Sequence, residues 1–109
     1  MNNLKIRLNG EVILDIDLAQ RYSGVQRRFL DEMENEMITQ GVRLNDCFVP
    51  NPDLQQCSLY MLARLLRAID AGNQSMITAC CAYLATRHAD LNRIDLCDQQ
   101  GQLTAHWVV

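Results

Sequence analysis

The sequence predicts an α+β fold, with a β-hairpin at each end of the chain and three helices between. Three observations carry this. Apolar and polar residues alternate at both termini, the period of a half-buried strand. Between the termini the apolar residues recur every three or four positions, the period of a helix packed on one side. Turn and capping residues fall where one pattern gives way to the next.

The first hairpin covers residues 3–8 and 11–16. Leu4, Ile6 and Leu8 alternate with Lys5 and Arg7. Asn9-Gly10 follows, a pair suited to a type I′ turn because both positions need positive φ. Val12, Leu14 and Ile16 then alternate with acids at 11, 15 and 17, a pattern that Ile13 interrupts.

The first helix is expected after Asp17, whose carboxylate suits an N-cap. Leu18, Tyr22, Val25, Phe29 and Met33 form its apolar stripe, and Gly41 stops it. Gly24 within that stretch costs up to about 1 kcal/mol relative to alanine. Residues 42–52 read as a connector. The second helix spans 53–71: Pro52 stands at its start, Asp53 and Gln56 have capping-box spacing, and Gly72 lies past its end.

Asn73 or Ser75 caps the third helix, whose apolar positions are Met76, Ile77, Cys80, Tyr83, Leu84 and Leu91. The chain then returns to period two. Ile94 and Leu96 flank Asp95, and Leu103, Ala105 and Trp107 alternate with Thr104 and His106. Asp98-Gln99-Gln100-Gly101 predicts a hairpin loop of roughly four or five residues. The two hairpins are expected to join in one antiparallel sheet with the helices on one face, making residues 1–109 a single α+β domain.

At 109 residues the chain has the length of one domain. Its 49% hydrophobic and 21% charged residues suit a packed core and exclude a disordered tail. No apolar run is long enough to span a membrane, and Met1 to Gly10 lacks the apolar stretch of a secretion signal. The net charge of −3 argues against a general polyanion binder. The five cysteines, 47, 57, 80, 81 and 97, are odd in number and include no C-x-x-C pair. They read as reduced thiols of a cytoplasmic protein, with Cys57, Cys80 and Cys81 acting as small core hydrophobes. Cys80 and Cys81 point about 100° apart on a helix and His88 lies two turns on, so no zinc site is expected. No cofactor is expected either.

No P-loop, G-x-S-x-G, G-x-G-x-x-G or H-E-x-x-H motif occurs, and no catalytic residue is assigned. Cys97, Asp98 and His106 could meet across the second hairpin as a thiol nucleophile with a base, which makes a small cysteine-dependent enzyme the least favoured reading. Arg27 with Arg28, and Arg64 with Arg67, sit near acids or apolar residues, so no nucleic-acid stripe is evident. Asp31, Glu32, Glu34 and Glu36 form a candidate acidic contact surface for a basic partner. The helix 53–71 carries two apolar stripes: Leu54, Met61, Leu65 and Ala68 on one side, and Leu59, Leu62, Leu66 and Ile69 on another. Such a helix must be covered twice. Either it is the central helix of the domain, or the second stripe is an interface with Arg67 at its rim. A self-complementary stripe would give a two-fold homodimer.

Two segments resemble parts of known families. Residues 12–30, with Val12-Ile13-Leu14-Asp15-Ile16-Asp17-Leu18-Ala19 and Tyr22, resemble the opening of a phage-type DNA-binding domain. An extra residue separates Tyr22 from Gly24-Val25, and that family's later aromatic segment has no counterpart. His88-Ala89-Asp90-Leu91-Asn92 with Asp98 and Gly101 resembles the turn of an ankyrin repeat, but the interval from Asn92 to Gly101 is too long. A single repeat would also lack the stacked neighbours that cover its core. Neither resemblance assigns a family. The leading expectation is a small, non-catalytic, cytoplasmic protein-interaction domain: an adaptor, inhibitor or regulatory subunit, with a protein partner or a second copy of itself. The alternative is a DNA-binding regulator using residues 15–41. No membrane partner is expected.

Overall fold

The structure, a computed structural model, describes residues 3–109. Among them are three helices and six strands in an α+β arrangement. The chain divides into two compact units, one built from residues 3–20 and 84–109, the other from residues 21–83.

The first unit is a four-stranded sheet. Asn9 and Gly10 take φ of 49° and 91°, closing the expected type I′ turn between β1 (Asn3–Leu8) and β2 (Glu11–Asp17). Ile6 pairs with Leu14 but Arg7 pairs with Val12, so Ile13 is the extra residue of a β-bulge. This accounts for the interrupted alternation. Before the bulge Val12 sits opposite Arg7 on the polar side and is exposed; beyond it Leu14 and Ile16 sit opposite Ile6 and Leu4.

Strands β5 (Arg93–Gln99) and β6 (Gln102–Val108) form the second hairpin. Its turn is shorter than expected. Asp98 and Gln99 stay in the ladder opposite Leu103 and Gln102, leaving only Gln100 and Gly101 to turn, with φ of 54° and 81°. Gln100 takes the left-handed conformation without the Asn or Asp that usually signals it.

The hairpins do join, in the order β2-β1-β5-β6. The joint is parallel, Lys5 to Leu8 against Arg93 to Leu96, so the sheet is mixed rather than wholly antiparallel. The junction is pinned at the turn, where Asn9 N–H donates to Leu96 O at 2.9 Å and Asp98 N–H donates to Asn9 Oδ1 at 3.1 Å. Leu4, Ile6, Ile16, Ile94, Leu96 and Leu103 are all buried on one side of this sheet.

In the second unit, the start of α1 (Gly24–Gln40) differs from expectation. Asp17 remains in β2, where its carboxylate accepts the Ala19 N–H at 2.9 Å. The cap is Ser23: its hydroxyl accepts the Gln26 N–H at 3.1 Å, and Gln26 Oε1 accepts the Ser23 N–H at 2.8 Å. Gly24 is therefore the first helical residue and imposes no interior cost. Leu18 and Tyr22 lie outside the helix, so the expected stripe has the wrong frame. Its buried residues are Leu30 and Met37, two turns apart.

The connector 42–52 contains a small hairpin, β3 (Val42–Leu44) and β4 (Cys47–Val49), turned by Asn45 and Asp46 at φ of 49° and 66°. The second helix, α2 (Leu54–Ala71), begins as read from sequence. Asp53 accepts the Gln56 N–H at 2.8 Å and Gln56 Oε1 accepts the Asp53 N–H at 2.9 Å. It ends in a Schellman motif, with Gly72 N–H to Ile69 O at 3.2 Å and Asn73 N–H to Ala68 O at 2.9 Å. Asn73, rather than Ser75, caps α3 (Gln74–Arg87), accepting the Met76 N–H at 3.2 Å. Leu91 is buried but lies past the end of that helix. Within the second unit, Tyr83 Oη donates to Glu34 Oε1 at 3.0 Å, tying α3 to α1.

Candidate functional site

The frame set by Ser23 decides which residues of α1 face solvent. Leu30 and Met37 point inward, and a helix turns about 100° per residue. Val25 and Phe29 are consequently rotated off the core side. Val25 is 77% exposed and Phe29 56%, one turn apart on one face. Glu32 and Glu36 continue the same stripe toward the C-terminus, and both are exposed. Arg28, also exposed, borders its apolar half beside Val25. Periodicity counted from Leu18 puts Val25 and Phe29 on the core stripe; the Ser23-x-x-Gln26 capping box is the sequence signal that turns them to the surface.

The candidate acidic surface is divided. Asp31, Glu32 and Glu36 are exposed, whereas Glu34 is half-buried against the Tyr83 hydroxyl. The candidate interface on α2 is also divided. Leu62 is wholly buried, Leu59 and Leu66 are half-buried, Ile69 is 36% exposed and Arg67 is exposed. A partner could therefore reach only the Ile69–Arg67 edge and parts of Leu59 and Leu66. The first stripe, Met61, Leu65 and Ala68, is buried as well, with Leu54 left 43% exposed at the helix start.

Cys97 and His106 share the polar side of the β5–β6 hairpin. Cys97 stands opposite Thr104, and His106 opposite Asp95. Asp98 belongs to the alternate side, opposite Leu103, so the alternation does not gather the three together. Asp95 is instead held by two arginines, Arg93 Nε at 2.8 Å and Arg7 Nε at 3.6 Å. Residues 15–41 are split: 15–20 belong to the first unit and 21–41 to the second. The arginines 21, 27 and 28 are followed on α1 by acids, not by further basic residues.

Two hollows bear on ligand binding. One of about 230 Å³ is bordered by Met33, Glu36, Met37, Gln40, Tyr60 and Arg64. That is below the roughly 300–1,000 Å³ of usual small-molecule sites. The other, about 660 Å³, lies open on the β5–β6 hairpin beside Cys97 and Thr104, with Gln99, Gln100 and Gln102 around it. Among the described residues its lining offers no charged group. Among the described residues, no three His, Cys, Asp or Glu side chains are grouped to hold a metal ion, and no helix is long and apolar enough to cross a membrane.

All five cysteines are free thiols. Burial pushes the Cys80 thiol up to about 11, and the nearby Arg64 only partly opposes it. Burial likewise raises Cys57, with smaller contributions from Glu34 and Asp53; its Sγ–H donates to Pro52 O at 3.9 Å. Both should therefore stay unlabelled by a thiol probe at neutral pH in the native protein, while the exposed Cys47 labels readily. Labelling of Cys80 as fast as Cys47 would refute its core placement. Cys80→Ala should cost on the order of 1 kcal/mol through lost packing, read from chemical denaturation.

His88 is 6% exposed and its ring stacks on Trp107 with centroids 5.1 Å apart. Burial lowers its pKa below the ordinary histidine value, against a smaller upward pull from Asp90. The native state therefore holds this ring neutral where the unfolded chain already binds a proton. The stabilisation is complete above about pH 6.5 and is lost as pH falls through the lowered native value. Unfolding free energy should fall over that window by at most ~1.4 kcal/mol per pH unit for one proton. His88→Gln should flatten that part of the pH profile; an unchanged slope in the variant would show that another group carries it.

No protein family, curated protein or solved structure matches the chain.

Proposed function

We propose that this protein is a non-catalytic, cytoplasmic protein-binding module that docks through the exposed face of α1, serving as an adaptor, inhibitor or regulatory subunit. The observation that carries the reading is the pair Val25 and Phe29, 77% and 56% exposed and one turn apart on a capped helix. Single exposed apolar residues are ordinary. A branched and an aromatic residue at i and i+4, bordered by charges, have the spacing of helical anchors that enter a partner's groove. Complete burial of such side chains stabilises by about 1.5–3 kcal/mol each, enough for two anchors to decide whether a complex forms. The free thiols support a reducing compartment.

The test compares wild type with Phe29→Asp as bait for protein partners, with an untagged copy of the chain included among them. Because Phe29 is exposed, the variant should keep wild-type circular dichroism and melting. Wild type is expected to retain a stoichiometric protein that Phe29→Asp loses. Identical retention by both baits would end this reading of α1.

A further inference from the structure

Resting on the α1 docking face proposed above, we infer that its partner is a second copy of this chain, the two α1 helices packing antiparallel about a two-fold axis. The order of charges along the exposed side of the helix carries this. Arg28 lies in its first half, beside Val25; Glu32 and Glu36 lie further along, and all three are exposed. Phe29 stands where the sign changes, with Val25 one turn before it.

A helix whose two stretches carry opposite charge complements itself in one orientation. Two parallel copies would set arginine beside arginine and acid beside acid, a repulsion that grows as the contact excludes water. Two antiparallel copies set each Arg28 beside the other's acidic stretch. A surface complementary to itself in this way closes as a two-fold dimer, with no free end left to propagate.

Pairing Arg28 with the partner's Glu32 sets the register, and helix geometry then places the rest. With the axis level with residue 30, Arg28 stands level with the partner's Glu32, and Gly24 with the partner's Glu36. The two Phe29 residues then lie about 3 Å apart along the helix direction, two rises of about 1.5 Å, close enough for their rings to meet at the axis. The apolar anchors occupy the centre of the contact and the charge pairs its rim, as in protein interfaces generally. Glu32 and Glu36 of the acidic surface and the exposed apolar pair thereby belong to one interface.

Arg28 and Glu32 are also four residues apart in one helix and can pair within a chain, so the test must separate the two arrangements. Sedimentation over a concentration series reads the dimer constant. Wild type is expected to move from monomer to dimer. Arg28→Glu and Glu32→Arg each set like charges opposite one another twice per dimer and should weaken it about tenfold or more. An equimolar mixture of these two variants restores both cross-pairs and should dimerise nearly as well as wild type, although neither variant regains its own intrahelical pair.

A wild type that stays monomeric throughout, or a mixture no better than the single variants, overturns the inference. If wild type is monomeric while Phe29→Asp loses a different stoichiometric protein, self-pairing falls and the docking face stands. If Phe29→Asp changes neither association nor retention, both fall.

Discussion

Replacing Leu62 with glutamate is expected to abolish cooperative folding. Leu62 is wholly buried, between Met61 and the similarly buried Leu65 along α2. The substitution removes a buried leucine side chain, a loss of about 2–5 kcal/mol in leucine-to-alanine series. It also leaves an unpaired carboxylate in the interior, which costs about 3–5 kcal/mol when a buried charge has no partner. Together these approach the roughly 5–15 kcal/mol that stabilise a typical domain. The circular dichroism melt should lose its cooperative transition, whereas Leu62→Ala should remain folded with a lowered midpoint. Ile69→Glu, at a site 36% exposed, should leave a folded protein with a small shift. A folded Leu62→Glu with wild-type melting would show that this side chain is not covered by its own chain and would return the second stripe of α2 to the surface.

That contrast also shows what periodicity can and cannot decide. The two stripes of α2 were legible because leucines recur at helical spacing and both ends carry cap signals, Asp53 with Gln56 and then Gly72. Which stripe meets solvent depends on neighbours distant in sequence, and periodicity holds no information on those. The same limit applies at the sheet. Alternation located both hairpins, and Asn9-Gly10 fixed the first turn. The parallel pairing of β1 with β5 joins residues about ninety positions apart, and no local pattern encodes it.

For α1 the difficulty was a competition between two start signals. Asp17 and Ser23 are both good caps, and Leu18 and Tyr22 extend an apolar period back toward Asp17. Ser23 prevails because Gln26 completes the reciprocal pair of hydrogen bonds, while Asp17 spends its carboxylate on the turn at Ala19. Moving the start rotates the helical frame, and the candidate docking face appears only in the corrected frame. Asn45-Asp46 was a second short signal. Both residues tolerate positive φ, but three-residue strands on either side gave too little alternation to frame them.

Substituting alanine for Gly41 should destabilise the protein by about 3 kcal/mol, more than a change of one methyl group ordinarily does. Gly41 ends α1, donating its N–H to Met37 O at 2.9 Å, and leads directly into β3. Its φ of 79° with ψ of 170° lies in a region open essentially to glycine alone. A Cβ there would also stand 2.5 Å from Phe48 Cζ and 2.9 Å from Val49 O. The Phe48 ring is 57% exposed and can swing aside. Val49 O cannot, because its residue is paired with Val42 in the β3–β4 ladder. Adding Phe48→Ala to Gly41→Ala should therefore recover less than ~1 kcal/mol, since backbone strain and the carbonyl clash persist. Gly72→Ala supplies the scale. Gly72 has φ of 70° and ψ of 26°, with open space where its Cβ would lie, so it carries only the left-handed cost of about 1–2 kcal/mol. Urea unfolding of the three variants should rank Gly41→Ala as the less stable glycine substitution. Equal losses at the two glycines would mean that α1 and β3 can part at Gly41 without cost.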